Sequence, residues 1–416
     1  MVTNDEQELL RRRLRRNVGC VAGLGFFQVF LVIIPVIVPF LGERGLSLSE
    51  VLLLQAVFAG FVLLMEVPSG YIADVFGRVR SLQVGALFMA AGHAGFVFSH
   101  GFLQLSICEL LLAVGVSLVS GADLALLYDT EQALAGDNSH PEKVVTRMFA
   151  LHTSGEALAG IVCSLVLLAW SLDAVAWVQA LVGALPLLFA LGLHEPPGER
   201  LSRDDHAGNL REIVAHLWNS SRVLRYTLLA LCIWSQGSFY AVWLLQPHWQ
   251  AQGIELSLFG YLWGGLALVA ALAGRVALGL ERRWGIAVVL TIIGLAPVLG
   301  YLGLAGLGLA GGLAISLLFF IARGLGLVVL RDAFNRRVPG RFRATANSLA
   351  HLGFRATYLA TAPLVGLALD GWGLQPTFLL LALAGLLVFG LLLVPLIRVV
   401  RAAQLPAPPA APTAVA

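Results

Sequence analysis

Apolar residues run through this chain in long blocks separated by short polar gaps. A helix that crosses the hydrocarbon of a bilayer needs about 20 mostly apolar residues. Cutting the chain at its gaps on that rule predicts twelve spans, at residues 18–41, 47–73, 81–99, 102–129, 144–170, 173–193, 224–247, 255–280, 284–303, 307–331, 343–369 and 373–397. The expected fold is an all-α membrane protein, with twelve transmembrane helices arranged as two pseudo-symmetric six-helix bundles.

One long polar segment interrupts the pattern near the midpoint of the chain. Residues 194–223 open with the helix-stopping Glu195-Pro196-Pro197-Gly198 and continue into an amphipathic stretch, Leu210 to Leu217, expected to lie along a membrane surface. The organisation that follows is a basic N-terminus (1–17), a first bundle (18–193), the linker (194–223), a second bundle (224–397) and a Pro/Ala-rich tail (398–416). Weak similarity between the halves agrees with a fused repeat. Leu127-Tyr128-Asp129-Thr130 closes the fourth span and Leu330-Arg331-Asp332-Ala333 closes the tenth, while His152 and Glu156 in the fifth echo His351 and Arg355 in the eleventh.

Basic residues test the topology independently, because they concentrate in cytoplasmic loops. With the N-terminus inside, Arg44 is the one basic residue in an outside loop. Arg275, Arg323 and Arg355 fall within spans, and every other one of the 27 Lys and Arg lies in or beside a cytoplasmic segment. Both termini are therefore expected in the cytoplasm, with the protein in a plasma membrane (bacterial inner membrane).

Composition adds the solvent. Hydrophobic residues make up 58% of the chain and charged residues 12%, with a mean hydropathy of +0.85, whereas a soluble domain carries roughly 25% charged residues. Lipid is thus a partner, and the small net charge of +3 reflects topology, not nucleic acid. Cys20, Cys108, Cys163 and Cys232 all sit in apolar stretches without metal or paired-thiol spacing and read as core filler. The run Arg11-Arg12-Arg13-Leu14-Arg15-Arg16 resembles the start of a signal peptide. The apolar stretch that follows is too long and has no small-residue cleavage site, so it reads as a retained first helix.

Between the second and third spans the chain reads Gly70-Tyr71-Ile72-Ala73-Asp74-Val75-Phe76-Gly77-Arg78-Val79-Arg80, preceded by Glu66. This resembles the signature loop of the major facilitator superfamily, Gly-x-x-x-Asp-x-x-Gly-Arg-x-Arg/Lys, at its expected place. The glycines permit a tight turn, and Asp74 suits the positive N-terminus of a neighbouring helix. The resemblance implies a conformational latch made of Glu66, Gly70, Asp74, Gly77, Arg78 and Arg80, with the neighbour being the eleventh helix, whose start offers Arg343. It also implies that helices one, four, seven and ten line a central cavity. Compared with the drug/proton antiporter group, the chain has Glu109 where an Arg is common in the fourth helix. It also has Gly155-Glu156-Ala157-Leu158-Ala159-Gly160 without the proline usual in the fifth.

An ionisable side chain at mid-span costs about 2.5–3.5 kcal/mol on insertion scales, so each requires an explanation. Glu109 and Asp123 are expected on the fourth helix within about 40° of one face, at 100° per residue. With Glu156 they are the candidates for binding and releasing protons, since a cavity carboxylate can change its protonation as access alternates. The alternative is a structural ion pair, for instance Asp123 with Arg323 across the halves. His152 and Glu156, one turn apart, suggest a hydrogen bond, and together with His351 they do not form a closed metal-ligand set. Gln28, Gln236, Tyr240 and Arg323 are the substrate-cavity candidates, whereas Trp243 and Trp249 read as interfacial anchors.

These features predict a secondary transporter working by alternating access, with small-molecule substrates and protons as partners, and efflux as the leading direction. Facilitated uptake or uniport of a nutrient, and a non-transporting receptor of the same fold, are the alternatives. An enzyme is not expected, and no cofactor or metal is called for, because there is no phosphate-binding loop, zinc motif or nucleophile elbow.

Overall fold

A computed structural model of the chain describes residues 4–135, 141–196, 206–339 and 343–404. Among them every regular element is helical. The helices are α1 (Asn4–Val29), α2 (Ile37–Glu43), α3 (Leu48–Phe76), α4 (Arg78–Phe98), α5 (Gly101–Val119), α6 (Ala122–Ala135), α7 (Pro141–Ala169), α8 (Leu172–Leu191), α9 (His206–Asn219), α10 (Arg222–Leu229), α11 (Gln236–Ala251), α12 (Leu256–Trp284), α13 (Ile286–Gly306), α14 (Leu309–Asn335), α15 (Arg343–Trp372), α16 (Leu374–Val388) and α17 (Val394–Gln404).

Eleven of the predicted spans are long and apolar enough to cross a membrane over the described residues. The remaining one, the fifth, is the 29-residue helix α7, which ends in the apolar stretch Ser154–Ala169. The protein is an integral, multi-pass membrane protein. Local sequence sets many of its boundaries. Ser47 caps α3 in a capping box with Glu50, and Ser171 caps α8 by accepting from the Ala174 N–H.

Four spans depart from the single helices that hydropathy predicts. The first is α1, a 3-10 turn at Ile34–Val36 and α2. The fourth breaks at Ser120–Gly121 between α5 and α6, and the seventh and twelfth carry π turns at Ala230–Trp234 and Phe389–Leu393. The break in the first span has a local cause. Pro35 has no N–H, and its ring collides with the carbonyl four residues back in a regular helix.

Inside lipid, the backbone groups freed by such a break must find partners. The side-chain amide of Gln179 on α8 accepts from the Ile33 N–H at 3.3 Å. Gln246 on α11, from the other half of the chain, accepts from the Val38 N–H at 2.9 Å and donates to the Ile34 carbonyl at 2.9 Å. In an unbroken helix Val38 would bond to Ile34 directly, so the fully buried Gln246 amide stands in for one helical hydrogen bond. The π turn of the seventh span is repaired similarly, with Gln236 donating to the Cys232 carbonyl at 3.2 Å and to Phe354 on α15 at 2.7 Å.

Core packing differs between the two ends of the bundle. At the end away from the termini, one continuous apolar core draws on both halves, from Val36, Phe40 and Leu52 to Trp249, Phe259 and Phe378. At the end that carries the termini, the core divides. One part lies within the first half around Val21, Leu82 and Leu126, and the other within the second around Val289, Leu330 and Leu396. The linker helix α9 buries Ile213 and Leu217 against Leu224, Phe334 and Ala346 of the second half, while Val214 and Trp218 face outward.

The halves also meet laterally, α3 against α15 and α7 against α12. The second contact is a backbone approach. A Cβ on Gly260 would run into the Gly160 carbonyl, and one on Gly160 would lie 2.6 Å from the Gly260 carbonyl. Ser164 seals it by accepting from the Tyr261 N–H at 2.9 Å.

Two substitutions test this account through thermal melting of the purified protein in detergent. Gln246→Leu strands a buried donor and a buried acceptor, at about 1–3 kcal/mol for each group, and should lower the melting temperature. Gln250→Leu, on the exposed side of the same helix, should not. Gly260→Val is expected to lose about 1–3 kcal/mol by forcing α7 and α12 apart. Gly265→Ala, with no atom within 4 Å of its added carbon, should melt like the parent.

Candidate functional site

A cavity of about 360 Å³ lies between the halves, beside the broken first span. The unwound segment contributes Leu31, Ile33 and Ile34 to its wall. Gln28 enters from α1, Gln55 and Phe58 from α3, His93 from α4, Glu109 from α5 and Gln179 from α8. The second half supplies Phe239 and Trp243 from α11, and His351, Phe354 and Arg355 from α15. A second chamber of about 270 Å³ lies within the second half, shares Phe239, His351 and Phe354 with the first, and adds Arg323, Arg331, Ser235 and Ser238.

Glu109 is buried, at 5% exposure. Its Oε1 accepts from Gln55 Nε2 at 2.9 Å, and no described cation lies within ion-pair distance of it. A neutral amide is a partner that serves the carboxylate without neutralising it, which leaves the carboxyl group able to take up a proton or a cation.

Across the cavity, the Arg355 guanidinium carbon lies 5.5 Å above the centre of the Phe58 ring. Arg331 donates to His351 Nε2 at 3.0 Å.

Several expectations are redirected. Asp123 opens α6, where its Oδ1 accepts from the Leu124 N–H at 2.7 Å, and it lines neither chamber. The break at Ser120–Gly121 interrupts the helical phase that would have put it on the face of Glu109. The ion pair of Arg323 is with Glu156, at 3.9 Å from α14 to α7, and not with Asp123. Gln236 and Tyr240 are buried and line neither chamber. The Gln236 amide nitrogen donates to two backbone carbonyls while its buried Oε1 has no partner among the described residues, and Tyr240 bonds to Thr361 at 2.7 Å. Trp243 and Trp249 are not interfacial anchors. They are 5% and 1% exposed, Trp243 against the cavity and Trp249 packed edge-on to Phe259, because they occupy the inner face of α11. Gln28 and Arg323 do line the chambers.

Neutral amides, an intramembrane histidine and inner-face aromatics supply what the sequence reading missed. Gln55 and Gln179 stand alone in apolar runs, as does His93, but a survey of charges passes over amides because their insertion cost is modest. Solitary polar residues at mid-span are the signal that would have found them.

The signature loop is a tight turn between α3 and α4. Gly77 joins the two helices at φ 97°, a left-handed conformation that a side chain resists, and an added Cβ would meet Glu195 Oε2 at 3.2 Å. Having no side chain, Gly77 cannot cap α4. Glu195 does so from beyond α8, accepting from the N–H groups of Arg78 at 3.0 Å and Val79 at 2.9 Å. Arg78 pairs with Asp129 and donates to the Ala125 carbonyl at 2.8 Å. Glu66 accepts from the Ser348 hydroxyl on α15, joining the halves. Arg80 is exposed and Gly70 faces open space. The side chains of Asp74, Arg343 and His152 lie outside the described residues.

The family described as Major Facilitator Superfamily matches residues 18–336. An uncharacterized MFS-type transporter, STM4428, of Salmonella typhimurium is 27% identical over 383 residues, covering 87% of this chain and 92% of that one. Among solved structures, a bacterial homolog of the human lysosomal transporter Spinster, inward-facing and unoccupied, superposes with a TM-score of 0.73 at 16% identity, over 96% of this chain and 99% of the other. The nucleoside transporter NupG does so with a TM-score of 0.71 at 13% identity, over 92% and 99%. At such identities the likeness is one of fold.

Loss of the Glu195 cap should be measurable. Glu195→Ala is expected to cost about 1–2 kcal/mol, seen as a lower melting temperature in detergent, and Glu195→Gln, which keeps an acceptor, should recover part of the loss.

Proposed function

The chain belongs to the Major Facilitator Superfamily, and from that premise we propose that it exports small organic molecules across the inner membrane in exchange for protons, by alternating access. Membership makes it a membrane transporter of small molecules and not an enzyme. Direction and coupling are the reading argued here.

The observation that carries it is Glu109, a buried carboxylate in a cavity between the halves whose hydrogen bond comes from an uncharged amide. A proton and a cationic group of a substrate compete for one such carboxylate. Competition for a site that faces each side in turn yields exchange, because the site returns loaded with whichever competitor prevails on that side. The inward proton gradient then drives the substrate outward.

Core packing supports the alternating part. With both termini in the cytoplasm, as the basic residues indicate, the joined core and the Gln246 clamp close the outer side, and the divided core lies on the cytoplasmic side. On this reading the divided side is the one from which the cavity holding Glu109 is reached. Opening outward requires Gln246 to release the first span and the inner cores to come together, with the latch around Gly77 and the Glu66–Ser348 bond rearranging. The glycine contact of α7 with α12 suits a pivot, since backbones without intervening side chains can rock.

The test is reconstitution in liposomes with a trapped pH dye, an imposed proton gradient, and a panel of organic cations, zwitterions, anions and neutral compounds. Substrate-dependent proton movement is expected from the parent and absent in Glu109→Gln. That variant should also bind and exchange a cationic substrate more weakly than the parent, since the carboxylate that proton and substrate share is gone, while still eluting as a folded protein on size exclusion. Unchanged coupling in Glu109→Gln would remove the carboxylate from the mechanism, and net flux indifferent to the proton gradient would make the protein a uniporter.

A further inference from the structure

We infer that the substrate is a zwitterionic amphiphile, a molecule with a cationic group for Glu109, an anionic group for Arg355, and an aromatic or apolar body between them. The inference rests on the exchange reading for its cationic end only. Its anionic end comes from a different observation.

That observation is that Arg355 has no ion-pair or hydrogen-bond partner among the described residues. It is an intramembrane arginine, and such groups are expensive to bury unless paired. Among the described residues no carboxylate lies within ion-pair distance of it. Glu66 is the one acid whose charge reaches Arg355, but it stands beyond ion-pair distance and gives its Oε1 to the Ser348 hydroxyl, so the guanidinium N–H groups have no acceptor there. What supports the guanidinium is the face of Phe58, a contact that leaves the N–H groups at its edge for a planar anion. The other nearby arginines have polar partners, Arg323 the Glu156 carboxylate and Arg331 the His351 ring, whereas Arg355 has only an aromatic face.

Glu109 and Arg355 line the same cavity from opposite halves of the protein. Phe58, Phe239, Trp243 and Phe354 line it with them, which suits a flat hydrophobic body. A purely cationic amphiphile would leave Arg355 unmatched and meet its repulsion. A purely anionic one would meet Glu109. A ligand with both charges satisfies both walls, and because the walls belong to different halves it also draws them together. A proton on Glu109 satisfies only one wall, so proton and substrate load the protein differently.

The test uses four probes on one scaffold. 4′-(Aminomethyl)biphenyl-4-carboxylic acid is zwitterionic, its methyl ester is cationic, its N-acetyl derivative is anionic, and the N-acetyl methyl ester is neutral. Binding to the purified full-length protein in detergent is measured by calorimetry, and proton movement is measured in liposomes. The zwitterion should bind at least about tenfold more tightly than any other probe, the scale of one charge-assisted hydrogen-bonded contact. Arg355→Gln should bring the zwitterion down to the affinity of the ester and leave the ester no weaker. Glu109→Gln should bring it down to the affinity of the N-acetyl derivative. Should Arg355→Gln not fold, by size exclusion and circular dichroism, Arg355→Lys keeps the charge and should retain the zwitterion's preference at reduced strength.

An ester that binds as well as the zwitterion, with Arg355→Gln indifferent to both, overturns the inference. If that ester still moves protons through Glu109, the exchange reading survives it. A zwitterion preference lost in Arg355→Gln without any proton movement retains the site and overturns exchange. Binding of none of the four probes overturns the inference outright.

Discussion

A single amide, that of Gln246, holds the place of a helical hydrogen bond on another helix, and much else depends on it. The cavity exists because the first span unwinds between α1 and α2. Unwinding in lipid leaves backbone groups without water to satisfy them, so a break is tolerated only where protein supplies partners. Gln179 supplies one from the same half, and Gln246 supplies two from the other. The groups that permit a cavity wall thus also tie the halves together at the end away from the termini.

This tie explains the uneven core. Where Gln246 reaches the first span, aromatic and branched side chains of both halves form one packed body. Towards the termini no equivalent amide bridges the first and seventh spans among the described residues, and each half keeps its own core. Between these ends the halves touch through α3 with α15 and through the glycines of α7 with α12. Interdigitated side chains resist sliding, whereas a backbone-on-backbone contact leaves little to unlock. The Gln246 amide thus makes two bonds to the first span at one end, while elsewhere the halves are joined by single contacts, Glu66 with Ser348, Glu156 with Arg323 and Ser164 with Tyr261.

The charges follow the same division. Glu109 belongs to the first half and is held by an amide, while Arg355 belongs to the second and rests on an aromatic ring from the first. Neither is neutralised by the other. A cavity kept polar at two separated points and apolar between them is a recognition surface, because isolated charges in a membrane interior are retained only when something requires them.

The all-α, multi-span fold and the turn at Gly77 were legible in the sequence. Each depends on local or one-dimensional quantities, namely hydropathy over some twenty residues, the lack of an N–H in proline, and the conformational freedom of Gly77. Which charges meet was not legible. Asp123 is turned away from Glu109 by a helix break, Arg323 finds Glu156 instead, and Glu195, read as a helix stop, caps α4 across more than a hundred residues of chain. Gln236 and Tyr240 have the chemistry of substrate contacts but are buried beside the chambers and hold internal hydrogen bonds, whereas Gln55 and His93 reach the cavity without any sequence signal beyond their solitude. Hydropathy decides that a helix lies in the membrane, but the way it faces is settled by packing against neighbours that the chain brings together only on folding.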